Sequence, residues 1–191
     1  MRTANKATKE KFLLAAIAEI KDHGISDFSI RRAAMRCGTT SGAPYRHFKD
    51  RNELILEVLR YVNERWFAIQ EELTCNFQGS LREELVEMSV RYIRFLCENP
   101  EFQTILTIND CSITPEQKME KARISTITTG IINEYCTSVN MTAEDRERKT
   151  YAVRSLIFGA SLMINSGYMP FNEETLERAR QCIDREFDLA W

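Results

Sequence analysis

The sequence predicts an all-α protein of about nine helices, and three observations support this fold class. Only 7 glycines and 4 prolines occur among 191 residues, a composition that favours helix. Apolar residues recur at helical spacing along much of the chain, and we find no convincing alternating pattern of the kind that strands require. Typical helix-start signals, a Ser, Thr, Asp or Asn shortly before an acid or Gln, recur along the sequence.

The first helix is predicted from about Lys6 to His23. Its apolar residues have the i, i+3, i+4, i+7 spacing of a buried face, at Leu13, Ala16, Ile17 and Ile20. Gly24 follows at the position where a left-handed residue commonly ends a helix. This segment is therefore expected to pack one face against the elements that come next.

Two short helices around a tight turn are predicted after the first helix. The side chain of Ser29 can cap the first of them, which would end at Cys37, with Gly38 supplying the left-handed backbone that stops it. The second helix would begin within Thr40 and Ser41. This pattern is a helix-turn-helix, in which the second helix enters the major groove of DNA.

Residues 1–49 are thus predicted to form a three-helix head, and residues 50–191 a second domain. The expected core of the head consists of Phe28, Ile30, Ala34 and Phe48. Pro44 is tolerable only in the first turn of a helix, where its missing N–H costs little.

Charge is distributed unevenly along the chain. The net charge is −2, but residues 1–51 hold 11 basic and 5 acidic residues, and residues 52–191 hold 15 and 23. Arg31 and Arg32 fall in a first helical turn, where the helix dipole disfavours cations, so we expect an external anion there. A basic head on an acidic body favours DNA binding through one end of the molecule.

A long fourth helix is predicted to join the head to the body. It begins at Asp50, with Glu53 completing a capping box, and nothing interrupts it before Asn76. Later helix starts are marked by Ser80 with Glu83, Asn99 with Pro100, Thr114 with Pro115 and Gln117, Thr142 with Asp145, and Asn172 with Glu173.

Several classes of function find no support in the sequence. The six cysteines form no CxxC pair and neither histidine lies near two of them, so we expect no metal site and reduced thiols. The sequence shows no nucleophile–base pair and no Gly-rich phosphate loop, so we expect neither an enzyme nor a bound cofactor. No apolar run of transmembrane length and no signal-peptide pattern occurs, so a cytoplasmic protein that does not associate with membranes is expected. Redox activity of Cys182, or of another cysteine, is left open.

The N-terminal third resembles the TetR family of transcriptional regulators. The resemblance covers residues 6–59 and is carried by DHGI, then FSIRRAA, then CGTTSGAPYRHFKDRNEL. It implies an N-terminal DNA-binding domain and a divergent ligand-binding and dimerisation domain. It also implies a dimer on a palindromic operator, most often a repressor released by a small-molecule inducer. Pro44 departs from the family, which usually has Leu or Ile there.

The same resemblance, together with the charge pattern, assigns residues to DNA. Ser29 would contact a phosphate, and Arg31 a base edge or a phosphate. Tyr45 and His47 would donate to phosphates, which position the protein without reading sequence. The ring of Tyr45 is expected to pack in the head, so that only its hydroxyl would reach DNA. The full expected set is Ser29, Arg31, Arg32, Thr40, Ser41, Gly42, Ala43, Tyr45, His47, Lys49 and Arg51.

The body is predicted only in outline. A dimer interface is expected on the last two helices at Ser155, Gly159, Leu162, Met163, Ser166, Leu176, Ile183 and Phe187, and the alternative is an ordinary intramolecular core face. A pocket for a ligand of unknown class would be lined by Met88, Tyr92, Phe95, Phe102, Ile105, Met119, Ile127 and Tyr135, each of which also suits simple core packing. Gating by a protein partner or by thiol oxidation, activation instead of repression, and a helical enzyme remain as alternatives.

Overall fold

A computed structural model of the protein describes residues 2–107 and 113–188, with side chains from residue 8 onward, and all regular structure in these ranges is helical. The all-α prediction is therefore confirmed. The α-helices of these ranges are α1 (Arg2–His23), α2 (Ile30–Arg36), α3 (Arg51–Asn76), α4 (Leu81–Glu98), α5 (Pro100–Leu106), α6 (Pro115–Ala122), α7 (Thr126–Ser138), α8 (Ala143–Asn165) and α9 (Glu173–Glu186). Two 3-10 turns occur at Pro44–Arg46 and Arg123–Ser125.

Several helices begin where the capping signals predict. Ser80 accepts a hydrogen bond from the backbone N–H of Glu83, and the Glu83 carboxylate accepts one from the N–H of Ser80 at 2.7 Å. Such bonds satisfy N–H groups that a helix start leaves without partners. Side-chain caps of the same kind begin α6 at Thr114, α8 at Thr142 and α9 at Asn172.

The segment that follows Thr114 differs from its prediction. The sequence marks one helix start there, but the chain forms α6, a 3-10 turn over Arg123–Ser125, and then α7. Residues 124–131 read ISTITTGI, in which β-branched side chains, Ser and Gly all have low helix propensity. The break lies at the start of this stretch, and the rest of the stretch still forms the first turns of α7.

The second element of the helix-turn-helix also differs from its prediction. A single 3-10 turn, Pro44–Arg46, replaces the regular helix expected from Thr40. Pro44 has no N–H to donate, and Gly42 loses more backbone entropy on folding than any other residue type would. The amide of Ala43 still bonds the Thr40 carbonyl at 3.0 Å, and that of Phe48 bonds Pro44 at 2.9 Å, which closes the turn.

Contacts divide the chain into two compact units. Unit 1 comprises Met1–Arg65 and Glu101–Ile124, and unit 2 comprises Trp66–Pro100 and Ser125–Trp191. Helix α3 passes from the first into the second after Arg65. The proposed DNA-binding segment, residues 1–49, lies entirely within unit 1.

In unit 1, α1 packs on α2 around aromatic and aliphatic side chains. Phe12 and Phe48 meet edge to face with ring centroids 6.4 Å apart. The predicted core residues Phe28, Ile30, Ala34 and Phe48 are all buried. Gly24 and Gly38 adopt φ values of +72° and +68°, which is the left-handed conformation expected after the first two helices.

In unit 2, α4 packs on α7, α8 and α9. One face of α4 forms a core with the last two helices, through Val86, Val90, Ile93, Ile157, Ile164, Leu176 and Ile183. The opposite side of α4 meets α3, where Trp66 contacts two aromatic rings of α4. No helix in the described part of the chain is long and apolar enough to cross a membrane.

Candidate nucleic-acid interface and ligand site

Most of the residues assigned to DNA are on the surface of unit 1. Arg31, Thr40, Ser41, Tyr45 and Lys49 are exposed. Gly42 is also exposed, with nothing within 4 Å of where a Cβ would stand, and Ala43 is half-buried at the start of the 3-10 turn. This segment therefore exposes two cationic side chains, two hydroxyl groups and a phenol. They lie next to a stretch of backbone that carries only small side chains.

Ser29 caps α2 as predicted. Its Oγ accepts a hydrogen bond from the backbone N–H of Arg32 at 3.4 Å. The cap uses the hydroxyl oxygen as acceptor and leaves its O–H free to donate. Ser29 can therefore hold the helix start and contact an anion at the same time.

Arg32 does not fit the role assigned to it. Its Nε donates to Glu19, and one terminal nitrogen, Nη2, donates to both the carbonyl and the carboxylate of Asp27. Hydrogen bonding to Glu19 is the main reason why its pKa is raised. The anion expected near this cation is thus the buried carboxylate of Glu19 and not an external phosphate.

Glu19 is the centre of an ion-pair cluster that joins α1 to α2. Its side chain is fully buried, and Arg36 Nε donates to it at 3.1 Å. Arg36 also pairs with Asp22 at 2.5 Å, and His23 lies 3.7 Å from the second oxygen of Glu19. A buried carboxylate needs such partners, so both arginines hold the head together.

Arg51 also has a structural role. Its guanidinium donates to the carbonyl of Ile25 and, at 3.4 Å, to that of Phe28. It also lies 5.8 Å from the Phe28 ring centroid. These contacts fasten the loop before α2 to the first turn of α3, so the assignment of Arg51 as a DNA contact is corrected.

The two rings assigned to phosphates have different environments. His47 is half-buried, and its ring packs at a tilt of about 50° against those of Phe12 and Phe48, with centroids 5.6 and 6.1 Å away. Tyr45 is 59% exposed, although its ring was expected to pack in the head. The 3-10 turn directs Tyr45 outward, and its ring and hydroxyl are both open to a partner.

Sequence reasoning missed Arg46. It lies between Tyr45 and His47, is exposed, and forms no ion pair within the described residues. The only signal that could have found it is its place between two residues already assigned to phosphates. Arg31, Arg46 and Lys49 are consequently the cations of this segment whose side chains have no acid partner among those residues.

The predicted dimer face is exposed on α8 but not on α9. Ser155, Leu162, Met163 and Ser166 are exposed, and Gly159 is half-buried with open space around it. Leu176 is 2% exposed and Ile183 is 0% exposed, and both lie inside the core shared with α4. Phe187 packs edge to face on Tyr135, with the two ring centroids 5.3 Å apart. The apolar side of α9 is therefore used within the chain.

Two large apolar residues of α8 were not predicted at this face. Tyr151 is 76% exposed and Phe158 is 38% exposed. Their positions, with Ser155 and Leu162, follow the i, i+4, i+7, i+11 spacing of one helix face. The helical periodicity of residues 151–162 is the signal in the sequence that points to them.

The ligand-site candidates divide between the two units. In unit 2, Met88 and Phe95 are buried, and Tyr92, Ile127 and Tyr135 are half-buried. In unit 1, Phe102 and Ile105 are buried, but Met119 is 72% exposed and does not line an interior pocket. Met119 follows a polar first turn on a short helix whose buried positions are Gln117 and Glu120.

An open groove of about 1180 Å³ lies between α7 and α8 in unit 2. Its lining includes Asn133, Thr137, Arg146, Tyr151 and Arg154.

The described residues contain no group of three or more His, Cys, Asp or Glu arranged to hold a metal ion. Burial raises the pKa of Cys97 to about 11, so this thiol is protonated at neutral pH.

The comparisons with known proteins agree on one family. Residues 12–58 match the family described as "Bacterial regulatory proteins, tetR family". A protein of Escherichia coli (strain K12) named "Probable acrEF/envCD operon repressor" is 26% identical over 115 residues, which cover 59% of this chain and 52% of that protein. The chain thus spans about half the length of the curated relatives it matches.

Solved structures share the fold across the chain. A TetR family transcription regulator from Marinobacter aquaeolei VT8 matches with a TM-score of 0.81 and 20% identity, covering 97% of this chain and 98% of that one. FadR from Bacillus subtilis, solved in complex with stearoyl-CoA, matches with a TM-score of 0.68 and 14% identity, covering 93% and 96%. Both proteins are named as transcriptional regulators. The family match over residues 12–58 and the fold shared with solved TetR-family regulators both support a transcriptional regulator of the TetR family.

Proposed function

We propose that the chain is a repressor that binds a palindromic operator as a homodimer and is released by a small-molecule inducer. The observation that carries the proposal is the set of cations between Ser29 and Lys49. Arg31, Arg46 and Lys49 are exposed and lack acid partners among the described residues, whereas Arg32 pairs internally. Cations left unpaired beside a helix start are suited to phosphate oxygens.

The proposed DNA contacts follow from the chemistry of each group. Ser29, Tyr45 and His47 donate hydrogen bonds to phosphates, and Lys49 adds charge. Arg31 reaches a base edge or a phosphate, since a guanidinium can read guanine bidentately. Small side chains at Thr40, Ser41, Gly42 and Ala43 let the backbone approach the groove, so specificity rests partly on DNA shape.

Dimer formation is supported by the exposed face of α8. Tyr151, Phe158 and Leu162 together present an apolar surface that a second copy would cover. Closed two-fold pairing is the commonest symmetry of soluble oligomers. A two-fold dimer places two heads on half-sites about 34–36 Å apart, or a multiple of that distance.

Repression and ligand release are supported by relatives. The Escherichia coli protein is named as a probable operon repressor, and Bacillus subtilis FadR was solved in complex with stearoyl-CoA. Helix α3 runs unbroken from Arg51 to Asn76, so a ligand that shifts its second half also moves the turn that follows the DNA-binding segment. A hundredfold loss of operator affinity needs only about 2.7 kcal/mol of differential binding.

The test is fluorescence anisotropy with the DNA upstream of the gene, measured across a salt series. Arg31→Ala is expected to weaken binding and to lower the slope of log affinity against log salt by about 1, as the loss of one phosphate contact does. Tyr45→Phe should weaken binding through the lost hydroxyl. The matched control is Arg185→Ala, an exposed arginine of α9, which should leave both quantities unchanged.

Two results would contradict the proposal. Arg31→Ala and Tyr45→Phe variants that bind operator DNA as wild type does would show that the DNA-contacting residues are elsewhere. Wild-type protein that binds no DNA selected from a random-sequence pool, even at low salt, would remove the regulator function itself.

A further inference from the structure

Helix α2, which carries Arg31, has little apolar surface with which to hold its place. Its buried residues are Ile30, Ala33 and Ala34, so only one large apolar side chain anchors its seven residues. Burial of apolar area is also non-directional, and the methyl group of an alanine contributes little of it. Other contacts must therefore decide how α2 is rotated and where it lies on α1.

The polar side of α2 supplies those contacts through one buried carboxylate. Arg32 and Arg36 lie four residues apart, on one face of the helix, and both donate to Glu19 of α1. Arg32 Nε donates to Oε1 of Glu19, and Arg36 Nε donates to Oε2 at 3.1 Å. Each carboxylate oxygen thus binds one arginine, and Glu19 is 0% exposed. A single side chain of α1 therefore holds two points of α2 that are one turn apart.

Arg32 also joins this contact to the loop that precedes α2. Its Nη2 donates to the backbone carbonyl of Asp27 and, at 3.1 Å, to the Asp27 carboxylate. Its backbone N–H donates to Ser29, the cap of the helix. Arg32 therefore connects α1, the loop and the first turn of α2. The next residue back along the chain, Arg31, is exposed and has no acid partner among the described residues, so its position depends on these contacts.

The turn that follows α2 is bonded to the end of the same helix. The backbone N–H and the hydroxyl of Thr39 both donate to the carbonyl of Ala34, each at 3.1 Å. The exposed residues Thr40 and Ser41 follow directly. A rotation or shift of α2 on α1 would therefore move both Arg31 and this turn relative to a DNA groove.

A buried ion pair is a costly way to attach a helix. Desolvation of the two charges offsets much of their attraction, so apolar side chains of similar size often give equal or greater stability. The pair supplies direction instead, because a guanidinium and a carboxylate require particular distances and angles. Glu19 is therefore better explained by the geometry that it imposes on α2 than by stability.

We propose that Glu19 is a positioning residue for operator recognition. It fixes the rotation of α2 on α1 through Arg32 and Arg36, and so sets where Arg31 meets the base edges. Glu19 itself is fully buried and does not touch DNA. This inference rests on the proposed operator binding and names a residue that determines its specificity from inside the head.

A replacement that conserves net charge separates positioning from stability. The double variant Glu19→Met/Arg36→Met removes one acid and one base, so the general attraction of the head for DNA is kept. It should fold with a melting temperature close to that of wild type. In fluorescence anisotropy, the ratio of operator affinity to scrambled-DNA affinity should fall about tenfold, the discrimination that one well-placed base contact supplies. The salt slope should not change, because no phosphate contact is lost.

A second variant keeps every charge and decides alone if the double variant fails to fold. Arg32→Lys has one terminal nitrogen in place of the planar fork, so it cannot bond Glu19 and Asp27 as Arg32 does. It should lower the same ratio at an unchanged salt slope. The control is Glu10→Met/Arg65→Met, which replaces an ion pair that joins α1 to α3 instead of α2. This control should discriminate operator from scrambled DNA as wild type does.

The outcomes separate this inference from the proposed function. Folded Glu19→Met/Arg36→Met or Arg32→Lys protein that discriminates as wild type does overturns the positioning role, and the proposed function stands. A loss of operator affinity that only matches the unfolded fraction of each variant also overturns it, because Glu19 would then serve stability alone. Wild-type protein that binds operator and scrambled DNA equally overturns the proposed function, and this inference with it.

Discussion

Ile183→Ala is expected to destabilise the folded chain itself and not merely its pairing with a second copy. Ile183 was predicted at the dimer interface, but it is 0% exposed and packs in the core between α9, α4 and α8. Leu162 was predicted at the same interface and is 58% exposed. The two truncations therefore separate a core position from a surface position.

The magnitude follows from burial. Truncating Ile183 removes three buried carbons at about 0.8 kcal/mol each. The cavity left behind adds to this, which brings the expected loss to about 3–4 kcal/mol, within the usual range for Ile→Ala in a core. Leu162→Ala removes carbons that are mostly solvated already, and the expected loss of unfolding free energy within one chain is about 1 kcal/mol or less.

Urea unfolding gives the stability, and sedimentation velocity gives the oligomeric state. Because dimer formation makes apparent stability depend on concentration, both are measured at two protein concentrations. Ile183→Ala should lower the unfolding free energy at both concentrations, and Leu162→Ala should chiefly weaken dimerisation. The reasoning is refuted if Ile183→Ala dissociates the dimer while the monomer keeps wild-type stability.

Two further predictions concern charges. Arg32→Ala should lower the thermal melting temperature and leave the salt slope of DNA binding unchanged, because the guanidinium is held by Glu19 and Asp27; a slope reduced as in Arg31→Ala would make Arg32 a phosphate contact. Burial raises the pKa of Glu87, but hydrogen bonds from Arg91 and Arg180 outweigh this and leave that pKa below the ordinary 4.5. A depressed carboxyl pKa stabilises the fold above pH 4.5 and ceases to do so as the pH falls through the folded-state value. Glu87→Gln should thus cost stability at pH 7 and progressively less toward pH 3 in urea unfolding, and an equal cost at both values would contradict the ion-pair explanation.

Features that depend on neighbours in the chain were predictable. Ser29, Ser80 and Thr114 begin their helices with the side-chain bonds that the sequence indicates, and Gly24 and Gly38 end theirs in the left-handed conformation. A cap joins residues two or three positions apart, so its signal survives in a short window of sequence. The same locality makes the N-terminal family pattern readable.

Local patterns were less informative where two tendencies compete. The helix expected from Thr40 is only a 3-10 turn, because Gly42 and Pro44 weaken the helix that the capping signal suggests. Tyr45 is consequently exposed instead of packed in the head. The sequence shows every residue involved, but it does not show whether the helix-starting or the helix-breaking tendency is stronger.

The roles of individual charged and apolar side chains required the tertiary structure. Whether Arg31 or Arg32 is free for DNA depends on Glu19, which is 13 residues before Arg32 and reaches it only because α1 packs on α2. Whether Ile183 faces a partner or the core depends on α4, about ninety residues earlier in the chain. Periodicity tells that a helix has an apolar face, whereas the packing of distant helices decides what that face covers.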